Sequence, residues 1–339
     1  MRNCEQVTTH PRGRCADGVG PRPAGWTAFY RLAAFLVLFC CAMAPAASAQ
    51  VALLVERGAS TYQQAAQGFQ QTFANTDRVE QIYIDESGRA LEASLERLRR
   101  NPPRLVVAIG TRAARTARER LPNIPILYCL ALRPAQNQLL GANIGGIALD
   151  VELSQQFENI QNALPNLRRI GVVYDELTSG SLVRQARQYL GSNVQLVARD
   201  ARTPREAARE IEDLLGSVLG SEDAFWLLWD SVTANPANFR RLVELSLRYK
   251  VPLIAPARPF VEAGALISIG ADYEQAGRQA AAMAQQVLRG QARPGDFAAV
   301  SPAELVVTIN GEVARRLGIV FPPDLRADVL APGVGARTP

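Results

Sequence analysis

Leu105-Val106-Val107-Ala108-Ile109-Gly110-Thr111 is the stretch on which the reading of the fold turns. Its first five residues are apolar without alternation. Such a run suits a strand covered on both faces, as in a parallel sheet, rather than one with a wet side. Gly110-Thr111 then gives way to a helical pattern. The same order lies on both sides. Upstream, Val51-Ala52-Leu53-Leu54-Val55 reads as a strand, 62–73 as a helix, Gln81-Ile82-Tyr83-Ile84 as a strand, and a helix follows through Leu91, Leu95 and Leu98. Downstream, Ile126-Leu127-Tyr128-Cys129-Leu130 is the next strand. Strand, helix and strand joined by short loops imply right-handed βαβ units.

The series restarts after Pro165-Asn166. Ile170-Gly171-Val172-Val173-Tyr174 opens it, with strands near Val194–Val197, Ala224–Leu228 and Pro252–Ile254 and helices near 182–190, 205–215 and 239–248. A helix at 273–288 and a strand at Leu305–Ile309 close it. With 339 residues, the chain is too long for one ordinary α/β core. The fold class is therefore α/β, with two doubly wound parallel-sheet lobes joined by a multi-strand hinge. Residues 51–147 plus 272–325 are assigned to the first lobe and 148–271 to the second, with crossings near 145–150, 265–272 and 290–303. The Gly/Pro-rich end, 326–339, reads as a flexible tail.

Residues 1–49 read as a cleavable secretory signal. Arg22 and Arg31 precede the apolar run Leu32–Phe39, and Ala47-Ser48-Ala49 offers an A-x-A cleavage site before Gln50. The apolar run is too short to span a bilayer. Cys40 follows the bulky Phe39, which weighs against a lipid anchor. The segment holds five arginines and two acids, so it contributes three of the chain's five net positive charges. The remaining +2 gives no basis for nucleic-acid binding. The single histidine, His10, also lies there, as do all cysteines but Cys129. No intrachain disulfide can then form.

What remains has little catalytic equipment. Without histidine, Ser-His, Cys-His and H-E-x-x-H devices are excluded. The only lysine, Lys250, has no P-loop before it, and no G-x-S-x-G is present. No catalytic residue, metal ligand or cofactor is assigned.

Phe260-Val261-Glu262-Ala263-Gly264-Ala265-Leu266-Ile267-Ser268-Ile269-Gly270-Ala271-Asp272-Tyr273 is followed by Gly277-Arg278-Gln279, Leu288-Arg289-Gly290, Val307-Thr308-Ile309-Asn310 and Ala314-Arg315-Arg316-Leu317-Gly318-Ile319 before Phe321-Pro322. With Ala108–Thr111 and Ile124-Pro125-Ile126, this resembles the ABC transporter solute-binding proteins that include tryptophan- and tyrosine-binding members, over most of 51–325. The resemblance implies a type I periplasmic binding fold, an amino acid or small organic anion as solute, an inner-membrane ABC permease as partner, a periplasmic location and a monomer. A periplasmic receptor docking on a sensor kinase is the alternative. The sequence departs from the family at Arg133-Pro134, where Asp-Pro is usual, and in the less glycine-rich Asn137–Leu140.

In open α/β sheets ligands lie beyond the carboxyl ends of the strands. Ser60, Thr61 and Tyr62 follow the first strand, as helix cap or as ligand contact, with Tyr62 placed to stack. Gly110 and Thr111 begin a helix whose free N–H groups could hold a carboxylate; an ordinary cap is the other reading. Tyr174 and Asp175, then Trp229 and Asp230, stand at corresponding ends in the second lobe. Asp230 either pairs with an ammonium group or makes a turn. Asp272 and Tyr273 follow the crossing strand as cap or contact. Arg133 either reaches an anion in the cleft or is a solvated loop residue.

Overall fold

The computed structural model describes residues 50–57, 60–73, 79–84, 88–191 and 193–330. The signal expected over 1–49 and the tail beyond 330 lie outside the described residues.

The first sheet has five parallel strands: β1 (Val51–Glu56), β2 (Val79–Ile84), β3 (Leu105–Ile109), β4 (Ile126–Ala131) and β5 (Ile144–Ala148), in the order β2-β1-β3-β4-β5. Residues of an all-apolar strand still alternate between faces. Leu105, Val107 and Ile109 join one core with helix α1 (Ser60–Phe73) and Ala276, Ala280 and Ala284 from far along the chain. Val106 and Ala108 join another with α2 (Gly88–Arg100) and α3 (Thr111–Arg120).

The second sheet has seven strands, in the order β12-β11-β10-β9-β8-β6-β7. They are β6 (Arg169–Tyr174), β7 (Gln195–Asp200), β8 (Asp223–Trp226), β9 (Leu253–Ala255), β10 (Ile267–Ala271), β11 (Leu305–Asn310) and β12 (Asp328–Leu330). Only the β10–β11 pairing is antiparallel. One face is covered by α4 (Leu153–Ala163), α5 (Glu176–Tyr189) and α10 (Gly311–Leu317), where Phe157 meets Trp226 edge-on at 5.1 Å. The other is covered by α6 (Pro204–Asp213), α7 (Pro236–Tyr249) and α8 (Arg258–Glu262). Side-chain caps start several of these helices. Thr203 and Asn235 each accept from a first-turn N–H and precede a proline.

Helix α9 (Tyr273–Leu288) returns from the second sheet to pack on α1. The crossing is close because both helices carry glycine at the contact. A Cβ on Gly68 would lie 2.1 Å from the Glu274 carbonyl oxygen, and one on Gly277 would lie 2.0 Å from that of Ala65. The chain thus passes between the sheets after β5, between β10 and α9, and again before β11. On this last passage Val300 donates its N–H to the Gly146 oxygen and accepts from Ala148 N, both at 2.9 Å.

Three sequence expectations need correction. Residues 305–325 were assigned to the first lobe, but β11 pairs with β10 and α10 packs on the larger sheet, because Val307 and Ile309 share a core with Ile267 and Ile269. Residues 326–330 were read as tail, yet Asp328–Leu330 pair with β11. Strand β5 was read only as a crossing. Its Gly145-Gly146 gives no strand signal, but both glycines are needed for clearance. A Cβ at Gly146 would sit 1.9 Å from the Tyr128 oxygen, and one at Gly145 would sit 1.9 Å from that of Pro294.

Gly277→Ala is expected to lower stability by about 1–3 kcal/mol through overpacking. Urea denaturation measures this, and an unchanged midpoint would mean that the helix crossing relaxes freely.

Candidate functional site

The carboxyl ends of β1, β3 and β4 and those of β6, β8, β9 and β10 carry the candidate residues. Most of the polar groups expected to meet a ligand are engaged within the protein.

In the first lobe, Glu56 at the end of β1 turns toward the start of α3, where its Oε2 accepts from Arg112 N at 3.0 Å. Gly110 makes room for it. Its φ of 97° suits glycine, and a Cβ there would lie 2.9 Å from the Glu56 Cβ. The carboxylate expected from a ligand at this helix N-terminus is therefore supplied by the chain itself. Thr111 neither caps its own helix nor stands free: its Oγ1 accepts from Leu132 N at 2.9 Å, joining the ends of β3 and β4. Ser60 is exposed, whereas Thr61 is buried and Tyr62 half-buried. Burial first, then the Glu56 carboxylate and the nearby Tyr273, push the Tyr62 hydroxyl up. Cys129 is buried with its thiol directed at the Ala276 oxygen, 3.6 Å away, and burial pushes it up to about 12.

In the second lobe, Asp230 is 3% exposed and accepts four hydrogen bonds. Oδ2 takes Asp175 N (2.9 Å), Thr178 Oγ1 (3.1 Å) and Ser179 Oγ (2.8 Å), while Oδ1 takes Val232 N (3.0 Å). This corrects the ammonium reading. The carboxylate is saturated by its own lobe and holds the β6 and β8 ends together. Asp175 caps α5 by accepting from Leu177 N at 3.0 Å. Tyr174 is half-buried, and burial first, then the neighbouring Glu176 carboxylate, push its hydroxyl up. Trp229 packs edge-on against Phe260 at 5.3 Å. Asp272 caps α9 through Gln275 N at 3.0 Å. Beside it, burial pushes the Tyr273 hydroxyl up to about 12, with Arg258 opposing and Glu262 adding.

Arg133 is not a solvated loop residue. From the end of β4 it reaches the other lobe, where Nη1 donates to the Thr178 oxygen at 3.0 Å and Nη2 to Ser179 Oγ at 3.1 Å and the Trp229 oxygen at 2.8 Å. Its backbone N donates to Asp150 Oδ2 at 2.6 Å, on the first crossing. Burial raises the Asp150 pKa, against the pull of that N–H and of the guanidinium.

Two cavities adjoin these ends. Arg133, Asp150, Gln156, Trp226 and Trp229 line one of about 50 Å³. The other holds about 510 Å³ and takes Gln64 and Gln67 from α1, Asp272 and Tyr273, and Arg258 and Thr308 from the second lobe. Sequence reasoning missed Arg258, although a signal existed: Arg258-Pro259 follows β9 as Arg133-Pro134 follows β4, at matching positions of the two lobes. Among the described residues no group of three or more His, Cys, Asp or Glu could hold a metal ion.

A statistical model of the family described as "ABC transporter substrate binding protein" matches residues 50–329. The chain belongs to that family. It is a family of solute-binding proteins and not of enzymes. As a substrate-binding protein the chain is 26% identical over 222 residues to a tyrosine-binding protein of Clostridioides difficile strain R20291, covering 63% of this chain and 62% of that relative's length. Its fold matches a ligand-free, open substrate-binding protein with adhesive properties from Clostridium difficile, with a TM-score of 0.70 at 18% identity over 84% of this chain and 99% of the other. It also matches an ABC domain from Streptococcus pneumoniae in complex with L-Trp, with a TM-score of 0.59 at 22% identity over 83% and 100%. These two likenesses establish the type I periplasmic binding architecture of this substrate-binding protein.

Two outcomes test this geometry. Asp230→Asn sets an amide N–H against one of four donors. It is expected to cost about 2–4 kcal/mol of ligand-free stability, readable by urea denaturation; unchanged stability would contradict the saturated carboxylate. For Asp150, a folded pKa raised above the unfolded one means that its contribution is fully present below the ordinary carboxylate range and is lost as pH rises through the raised value. The stability of Asp150→Asn relative to the parent is therefore expected to grow from acid toward neutral pH, measured by thermal unfolding across that range.

Proposed function

We propose that the chain is a periplasmic receptor that captures a small solute, an amino acid or a small organic anion, between its lobes and delivers it to the membrane permease of an ABC transporter as a monomer. The observation that carries this reading is the cavity of about 510 Å³, walled from one side by α1 and α9 and from the other by α8, β10 and β11. A solute there touches both lobes at once, so its binding favours closure by hinge motion about the crossing segments. Among the described residues no helix is long and apolar enough to cross a membrane; delivery to a permease is the role that the family description supports. The names of the tyrosine-binding relative and of the L-Trp complex support an amino acid.

Mass spectrometry of the co-purified solute, followed by thermal shift with amino acids and small carboxylates, tests this. A solute at a hundred times its dissociation constant adds about 2.7 kcal/mol of stability. The expected outcome is a raised melting temperature for at least one amino acid or carboxylate. No shift with any of them would reject this ligand class, and turnover of a bound solute would reject a role confined to binding.

A further inference from the structure

The floor of the larger cavity holds two polar groups that the fold leaves unused. Ser268 on β10 and Thr308 on β11 are direct partners across the antiparallel pair. They are only 1% and 2% exposed, and both line the cavity. Among the described residues neither hydroxyl has a hydrogen-bond partner, and neither is sealed away from the cavity. Buried hydroxyls without partners are costly unless something else meets them.

The charges around that floor are unequal. Among the described residues Arg258 is the only cation lining the cavity, against the carboxylates of Asp272, Glu274 and Asp328. Arg258 already donates to Glu262 at 2.9 Å and to Asp328. Glu274 pairs with the exposed Arg278 one turn further along α9. Lining groups and their direct ion partners amount to two positive charges against four negative. A plain anion would meet a guanidinium shared by two carboxylates, with two more nearby. A cation would meet the surplus charge and, in the hydroxyls, free lone pairs.

We infer that this cavity selects solutes bearing an ammonium group, anchored by Asp328 and Asp272 and by the hydroxyls of Ser268 and Thr308, and that it rejects plain organic anions. The assignment rests on the solute-binding reading above and decides between its two ligand classes. None of these four was read as an ammonium site from the sequence, where Asp230 held that role. Gln64 and Gln67 lie across the cavity on α1 with amides that serve a polar solute of either sign. They close the site and leave the choice of charge to the opposite wall.

Calorimetric titration of the full chain tests this with two sets of probes. One is L-tyrosine, tyramine and 3-(4-hydroxyphenyl)propionate; the other is L-leucine, isoamylamine and 4-methylpentanoate. In at least one set the amino acid and the amine are expected to bind, and the deaminated acid to bind at least tenfold more weakly. Asp328→Asn should weaken binding of that amine roughly ten- to hundredfold, the loss of a charge-assisted contact. Thr308→Val and Ser268→Ala should weaken it as well while leaving the ligand-free melting temperature unchanged, since the hydroxyls bond no protein group. The acids binding as tightly as the amines would overturn the inference and leave the receptor reading standing. So would unchanged amine affinity in Asp328→Asn. No binding by any of the six would reject both the ammonium site and the amino-acid reading.

Discussion

Two helices, α1 and α9, cross with no side chain between their backbones at Gly68 and Gly277, and the two-lobed arrangement depends on that crossing. Helix α9 follows β10, a strand of the second sheet, yet its alanines complete the core of the first. A residue with a Cβ at either glycine would push α9 off α1 and uncover Ala65, Phe69 and Ala280 together. Because α9 is held there, the chain must return to reach β11. That return lays Val300 along β5 and adds a third strand of connection between the sheets.

The carboxylates at the strand ends follow one rule. Glu56, Asp175, Asp230 and Asp272 each accept from backbone N–H groups at a helix start or tight turn. Such groups have no partner inside a helix, and a short acidic side chain is the most economical way to satisfy them beside a cleft. Glu56, Asp175 and Asp230 are thereby recruited to hold the rims rigid, while Asp272 both caps its helix and lines the larger cavity. The carboxylate surplus around Arg258 is different, because it gathers from α8, α9 and β12, elements far apart in the chain.

The legibility of the fold divides along the same line. The runs at 51–55, 105–109 and 126–130 announced buried parallel strands because continuous burial leaves a compositional mark. Thr203-Pro204 and Asn235-Pro236 start two helices by chemistry local to two residues, a little ahead of the 205 and 239 at which the sequence reading begins them. Strand β5 escaped notice because Gly145 and Gly146 answer to Pro294 and Tyr128, partners that the sequence does not reveal. The place of β11 could not be read, since its apolar side fits either core until antiparallel pairing with β10 decides it. At the site, Tyr62 and Tyr273 were legible as neighbours of strand ends. The saturation of Asp230 was not, because three of its four donors lie more than fifty positions away. The Arg-Pro repeat after β4 and β9 was present in plain sight, and only the matching order of strands in the two sheets gives it meaning.

The span made by Arg133 has a chemical asymmetry. Its partners across the lobes are two backbone carbonyls and a serine hydroxyl, none of which changes charge near neutral pH. A guanidinium stays protonated throughout the same range. The contact between the lobes at this corner therefore responds to acidification through Asp150, which accepts from the Arg133 N–H, rather than through these three partners. It also answers to salt less than a pair of opposite full charges would, since screening acts most strongly between net charges. The span across the lobes at this corner thus rests on one full charge set against dipoles.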